Sequence, residues 1–180
     1  MAVPNGEYNG KTDWLQGDPP LKYLGDQTAA NAAVNLNWSE IRSGQAFPAT
    51  HTVPGTGWPT AAQFADPNYW PVILVTGNAT LPSGKGLVIV TGDLTISGGT
   101  TWDGVLMVGG NITSNGNNTV YGAVMTGLDE KNGQDVIIQD AGNGTKIYQY
   151  SSCNIEKAAT SAGSLLTWTN TWADTWTSYQ

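Results

Sequence analysis

Gly86–Ser97 reads GLVIVTGDLTIS, Gly104–Asn115 reads GVLMVGGNITSN, and Gly122–Gly127 reads GAVMTG, each starting 18 residues after the one before. The units share one pattern: an apolar run, a glycine followed by Asn or Asp, a short alternating strand, then a polar glycine-rich turn. Thr100–Asp103 and Asn118–Tyr121 supply a third short strand to each unit. An upstream unit, VILVTGNATLPSG from Val72, fits with a shorter turn. A downstream unit fits if LDEKNG (Leu128–Gly133) is an insertion, with DVII from Asp135 then replacing DLTI and NITS. The Asx column is therefore Asn78, Asp93, Asn111 and Asp135.

A fixed period with three strand-and-turn pieces is what one coil of a parallel β-helix requires, because a single coil cannot bury its own apolar face and must stack on its neighbours. The reading is an all-β fold, a short right-handed parallel β-helix of about four coils with flanking α-helices. In the second strand, alternation puts Ala79, Leu94, Ile112 and Val136 inside and Thr80, Thr95 and Thr113 outside. The first strands, VILV, LVIV and VLMV, are apolar at every position, as strands covered on both faces are. Something must lie over that sheet.

The C-terminus can supply the cover. Ile155, Ala158, Ala162, Leu165, Trp168, Trp172, Trp176 and Tyr179 recur at spacings of three and four, a helical stripe with Asn154 as its N-cap. A second helix is expected over Gln27–Ile41, with Ala30, Val34, Trp38 and Ile41 on one face. The division is 1–70 as an N-terminal capping region with loops and a short helix, 71–153 as the solenoid, and 154–180 as an amphipathic helix packed on it. A cap is needed because an open solenoid end exposes strand edges.

The string YWPVILVTGNATLPSGKGLVIVTGDLTISGGTTWDGVLMVGGNITSNGNNTVYGAVMTG, followed by GNGTKIYQYSSCNIEKA, resembles secreted bacterial β-helical proteins of the pilus-assembly PilX type and related domains of unknown function. The resemblance covers about Tyr69–Tyr179 and rests on the Pro-Val-Ile before the first coil, Gly84–Leu87, Trp102-Asp103-Gly104, and Tyr150–Cys153 leading into a Trp-rich helix. It implies an exported protein at the cell surface or on a filament. It also implies a hydrophobic N-terminal helix like that of type IV pilins, which Met1–Tyr8 does not supply. The expectation is that a leader or anchor is missing from this sequence, or that the protein works without one.

Charged residues make up 12% of the chain, about half the usual share. Amides, hydroxyls and 23 glycines cover the surface instead, a bias of extracellular repeat proteins. A net charge of −7 repels nucleic acid and anionic lipid, so neither is an expected partner. No apolar run reaches transmembrane length. One cysteine, Cys153, cannot form an internal disulfide and reads as a small buried hydrophobe. No His/Cys cluster has metal-ligand spacing, so no cofactor or metal is expected.

Candidate chemistry is sparse. Glycosidic cleavage needs two charged partners in a groove, and the one acidic cluster near a coil is Asp129, Glu130, Asp135 and Asp140, read as a solvated insertion. His51, the single histidine, sits in a Pro/Thr/Gly stretch without a nucleophile elbow. The Asx column suits tight corners, with glycine at positive φ and the Asx side chain on nearby backbone or bonded coil to coil; calcium ligation is the alternative. The Thr column fits strand propensity, with an ice-binding array as the alternative. Trp168, Trp172, Trp176 and Tyr179 are packing residues or a ligand platform. The functional expectation is a non-enzymatic structural or adhesive protein, extracellular or cell-surface and pilus- or filament-associated, whose partners are itself, other surface components or glycans. The rivals are a carbohydrate-binding module using Trp14, Trp58, Trp70 or the C-terminal tryptophans, and a small polysaccharide-active enzyme centred on Asp129, Glu130 and Asp140.

Overall fold

The computed structural model describes residues 2–3, 15–16, 22–23, 36–129 and 145–163 of the chain. In chain order the elements are β1 (Ala2–Val3), β2 (Leu15–Gln16), β3 (Lys22–Tyr23), α1 (Trp38–Arg42), β4 (His51–Val53), α2 (Ala61–Ala65), β5 (Val72–Val75), β6 (Ala79–Leu81), β7 (Gly84–Val90), β8 (Leu94–Ile96), β9 (Thr101–Val108), β10 (Ile112–Ser114), β11 (Asn118–Met125), β12 (Lys146–Gln149) and α3 (Ser152–Gly163). Among the described residues all strand pairings are parallel. The fold is a β-solenoid of about four turns with flanking helices.

Two sheets form the walls. One has the order β10-β8-β6; the other runs β2-β12-β11-β9-β7-β5-β4. The repeat sets the register directly: Gly86 lies against Gly104 and Gly104 against Gly122, while Ala79, Leu94 and Ile112 stack in the smaller sheet. The downstream coil is larger than the expected insertion allows. β12 pairs with β11 through Asn118 and Lys146, an offset of 28 residues and thus ten beyond the period, where Leu128–Gly133 adds six. Asp135 and Val136 lie outside the described residues.

The third strand of one coil and the first strand of the next are not separate. They run together as the eight-residue β9 and β11, bent at a column of glycines. Gly86, Gly104 and Gly122 have φ of 123°, 131° and 152°, a region closed to side chains. A Cβ on Gly104 would also collide with the carbonyl oxygen of Gly86, and one on Gly122 with that of Gly104. A bend that needs no turn residues leaves the ladder intact through the corner.

Beyond the bend, alternate residues face opposite sides, and both sides are covered. Ile73, Val75, Val88, Val90, Leu106 and Val108 point into the coil interior with Leu94, Ile96 and Trp102. Val72, Leu87, Ile89, Val105 and Met107 point the other way, under a layer made by Trp38 and Ile41 of α1 and Ala158 and Ala162 of α3. The continuous apolar runs are explained by this double cover. Burying a Val, Leu or Ile side chain is worth about 1.5–3 kcal/mol each, so the two faces together dominate stability.

Two helix boundaries differ from expectation. α3 starts at Ser152, and Ser151 occupies the capping position, its Oγ accepting the Asn154 N–H at 3.4 Å. Asn154 instead donates from Nδ2 to Asp103 Oδ1 (2.9 Å) and to the Tyr121 carbonyl (3.1 Å), pinning the first turn to β9 and β11. α1 begins at Trp38 because the Asn37 side chain accepts the Glu40 N–H, so Leu36 and Asn37 interrupt the helix expected from Gln27. Ala30, Val34, Leu165, Trp168, Trp172, Trp176 and Tyr179 lie outside the described residues.

The N-terminal region reaches both ends of the large sheet: β4 continues it beyond β5, and β2 continues it beyond β12. At the β4 end, Val53, Trp58 and Phe64 pack on the interior cluster. The outward edge of β4 is occupied by its own loop, since the Thr52 N–H donates to Thr56 Oγ1 (2.9 Å) and the Gly57 N–H to the Thr52 carbonyl (3.0 Å). A self-occupied edge cannot template another strand.

Candidate functional site

The Asx column forms a ladder between coils. Asn78 Oδ1 accepts the backbone N–H of Asp93 at 2.8 Å, and Asp93 Oδ1 accepts that of Asn111 at 2.8 Å. Glycine precedes Asn78, Asp93 and Asn111 for two different reasons. Gly77 has φ of 86°, as turn chemistry expects. Gly92 and Gly110 do not; a Cβ there would strike Asn78 Oδ1 or Asp93 Oδ1 of the preceding coil, so they are glycine to admit the ladder. A similar bond recurs at another corner, where Asn117 Oδ1 accepts the Thr145 N–H at 2.9 Å. These oxygens therefore point at backbone donors of the adjacent coil.

Asp129 is not the solvated charge expected. It is 7% exposed, and its Oδ1 accepts hydrogen bonds from Trp38 Nε1 (2.7 Å) and Arg42 Nη1 (2.9 Å). Trp38 is 1% exposed, so its indole N–H has been taken out of water and needs this acceptor. Leu128 beside it is buried in the same layer. The start of the insertion is thus a clamp on α1, while Glu130, Asp135 and Asp140 lie outside the described residues.

His51 stands on β4 rather than in a loop. Its Nδ1 is 3.2 Å from the Tyr69 hydroxyl and 3.4 Å from Thr50 Oγ1. Burial raises the Tyr69 phenol above its ordinary value, with a Thr50 hydrogen bond opposing. Thr50 is itself engaged with the backbone of Val72, Oγ1 donating to the carbonyl and accepting from the N–H. The trio fastens β4 to β5.

The coil interior turns polar toward β12. Ser114 Oγ donates to Asn118 Oδ1 at 3.0 Å, and Asn118 Nδ2 reaches the carbonyls of Asn115 and Gly116. Tyr148 packs beside them, and burial pushes its phenol pKa up, offset in part by a hydrogen bond with Ser114. Trp102 is fully buried against Phe64, the rings edge-to-face at 5.9 Å, and its Nε1 has no hydrogen-bond partner among the described residues.

Cys153 is exposed, not buried. The buried face of α3 is set by Ala158 and Ala162, and five residues back from Ala158 is about 140° around the helix. Thr80, Thr95 and Thr113 do stack in register on the outer side of the smaller sheet. Trp58 is an end plug, and Trp14 lies outside the described residues. Trp70 borders an open groove between its loop and the outer side of α3, together with Asn68, Lys157 and Thr160. Among the described residues no group of three or more His, Cys, Asp or Glu side chains is placed to hold a metal ion, and no helix is long and apolar enough to cross a membrane.

No protein-family model, curated protein or solved structure matches the chain.

Proposed function

We propose that this chain is a structural or adhesive module of the cell exterior, associated with the cell surface or a filament, and that its work is mechanical rather than chemical. The observation that carries the reading is how its carboxylates are engaged. Asp93 holds the next coil's N–H, Asp103 holds Asn154 of α3, Asp129 holds Trp38 and Arg42 of α1, and Asp66 holds the Asn68 N–H. A general acid or base has to face substrate with lone pairs free to exchange a proton. In Asp93, Asp103 and Asp129 those lone pairs fasten one element to another, the arrangement of a scaffold. The low-charge exterior of amides and hydroxyls suits an exported repeat module.

Self-association is part of this reading. Stacking end to end would have to displace the loop on the outer edge of β4, so association through the solenoid wall is the favoured version. The test is immunogold labelling of cells that make the protein, with negative-stain imaging of the concentrated chain. Label at the surface or along filaments is expected. Label confined to the cytosol overturns the reading, as does turnover of a polysaccharide by the purified chain.

A further inference from the structure

Among the described residues one asparagine is followed by glycine, Asn115 before Gly116 in the turn between β10 and β11. Asn115 is exposed, and neither its side-chain amide nor the Gly116 N–H makes a hydrogen bond among those residues. The other asparagines of this corner are tied down. Asn117 Oδ1 accepts the Thr145 N–H, and the Asn118 side chain is held by Ser114 Oγ and the carbonyls of Asn115 and Gly116. Glycine is imposed at 116 by the fold, since its φ is 72° and a Cβ there would lie 2.8 Å from Gly98 Cα of the preceding coil. Asparagine at 115 is not imposed, because Ser97 holds the same place one period of 18 residues earlier.

We infer that Asn115 is a site of spontaneous backbone rearrangement, deamidating through a succinimide to aspartate and isoaspartate. The reacting groups are neighbours on one chain, so the step is unimolecular, and glycine leaves the attacking nitrogen unshielded. The Gly116 nitrogen bonds to Asn115 Cγ, the Cγ–Nδ2 bond breaks, and the amide proton departs with Nδ2 as ammonia. Water then opens the ring at either carbonyl. In the isoaspartyl product the main chain runs through Cγ, one methylene longer, and the former Asn115 carbonyl becomes a carboxylate beside it. That carbonyl is an acceptor of Asn118 Nδ2 at 3.3 Å, and Asn118 Oδ1 in turn accepts from Ser114 Oγ in the coil interior. A change at an exposed turn thereby reaches a residue that is only 4% exposed. This goes beyond the scaffold reading and stands whether or not the module is exported.

The test is peptide mapping of the full chain after prolonged incubation in warm, mildly alkaline buffer, scoring aspartate and isoaspartate at each asparagine. Asn5, Asn9, Asn132 and Asn143 also precede glycine and lie outside the described residues, so product has to be assigned by position. Asn115 is expected to convert at least about tenfold faster than Asn117 or Asn118, a barrier lower by about 1.4 kcal/mol. Asn115→Ser should remove the product at this position with the melting temperature unchanged. The fraction carrying isoaspartate at position 115 alone should melt about 2–4 °C below the fresh chain, the size of one hydrogen bond. Asn115→Asp, which adds the charge and keeps the backbone, should melt with the fresh chain. Three results would each overturn the inference: conversion at Asn115 no faster than at Asn117 and Asn118, conversion there only when urea unfolds the chain, or an isoaspartyl form that melts no lower than Asn115→Asp.

Discussion

Replacing Asp129 separates its two duties, and the structure gives the size of each. Asp129→Ala strips the acceptor from Trp38 Nε1, a donor on a side chain that is only 1% exposed. Leaving a buried donor unsatisfied costs about 1–3 kcal/mol. The same change removes the pairing with Arg42, whose side chain is 31% exposed and so contributes only about 0–1 kcal/mol. The expected total is about 1–4 kcal/mol, a fall in melting temperature on the order of 2–16 °C for a chain of this length. Asp129→Asn keeps an oxygen for the indole and loses only the ion pair, so it should cost about 1 kcal/mol or less. Urea denaturation monitored by circular dichroism measures both. The reasoning is refuted if the Ala and Asn variants lose equal stability, or if Asp129→Ala lies within about 0.5 kcal/mol of wild type, the range of an ordinary surface change.

Asp93→Ala should cost about 1 kcal/mol by removing a rung of the ladder, whereas Asp93→Asn, which keeps the acceptor, should cost less than half of that. Calcium should leave the melting temperature of all three proteins unchanged; a calcium-dependent rise lost in Asp93→Asn would restore the metal reading of the column. Tyr148 gives a pH dependence with a definite sign. Its folded pKa is raised by burial above the unfolded value of 10.0, so its contribution is complete below that pH and is lost as pH climbs past it. Tyr148→Phe should therefore flatten the alkaline fall in stability seen in melts between neutral pH and pH about 11; an unchanged slope would mean that the phenol ionises freely in the native state.

The solenoid was legible because stacked coils must share a period, and the spacing of Gly86, Gly104 and Gly122 became the strand register without adjustment. The doubly apolar strands likewise announced a cover before its identity was fixed. What the period could not carry was any contact made across it. Asp129 meets residues 91 and 87 positions away in Trp38 and Arg42, and no local pattern distinguishes a clamped carboxylate from a solvated one. Cys153 was misjudged for a related reason: burial on a helix depends on rotation about its axis, and only Ala158 and Ala162 fix that rotation. The ammonium groups of Lys85 and Lys157 both lie over the Trp70 ring, a meeting with no sequence signature, because it depends on where α3 crosses the sheet. The glycines at 92 and 110 were assigned to backbone freedom, when the constraint comes from an oxygen on the neighbouring coil.

Helix α3 crosses the large sheet and touches β5, β7, β9 and β11, strands belonging to successive coils. A stack of repeats coupled only to nearest neighbours can fray one rung at a time from either end. A strap laid over four rungs changes that statistics, because no rung can leave without loosening the strap from all the others. Such a molecule resists gradual unravelling and yields in a single step, which for a module pulled at its ends is the difference between a zip and a clasp.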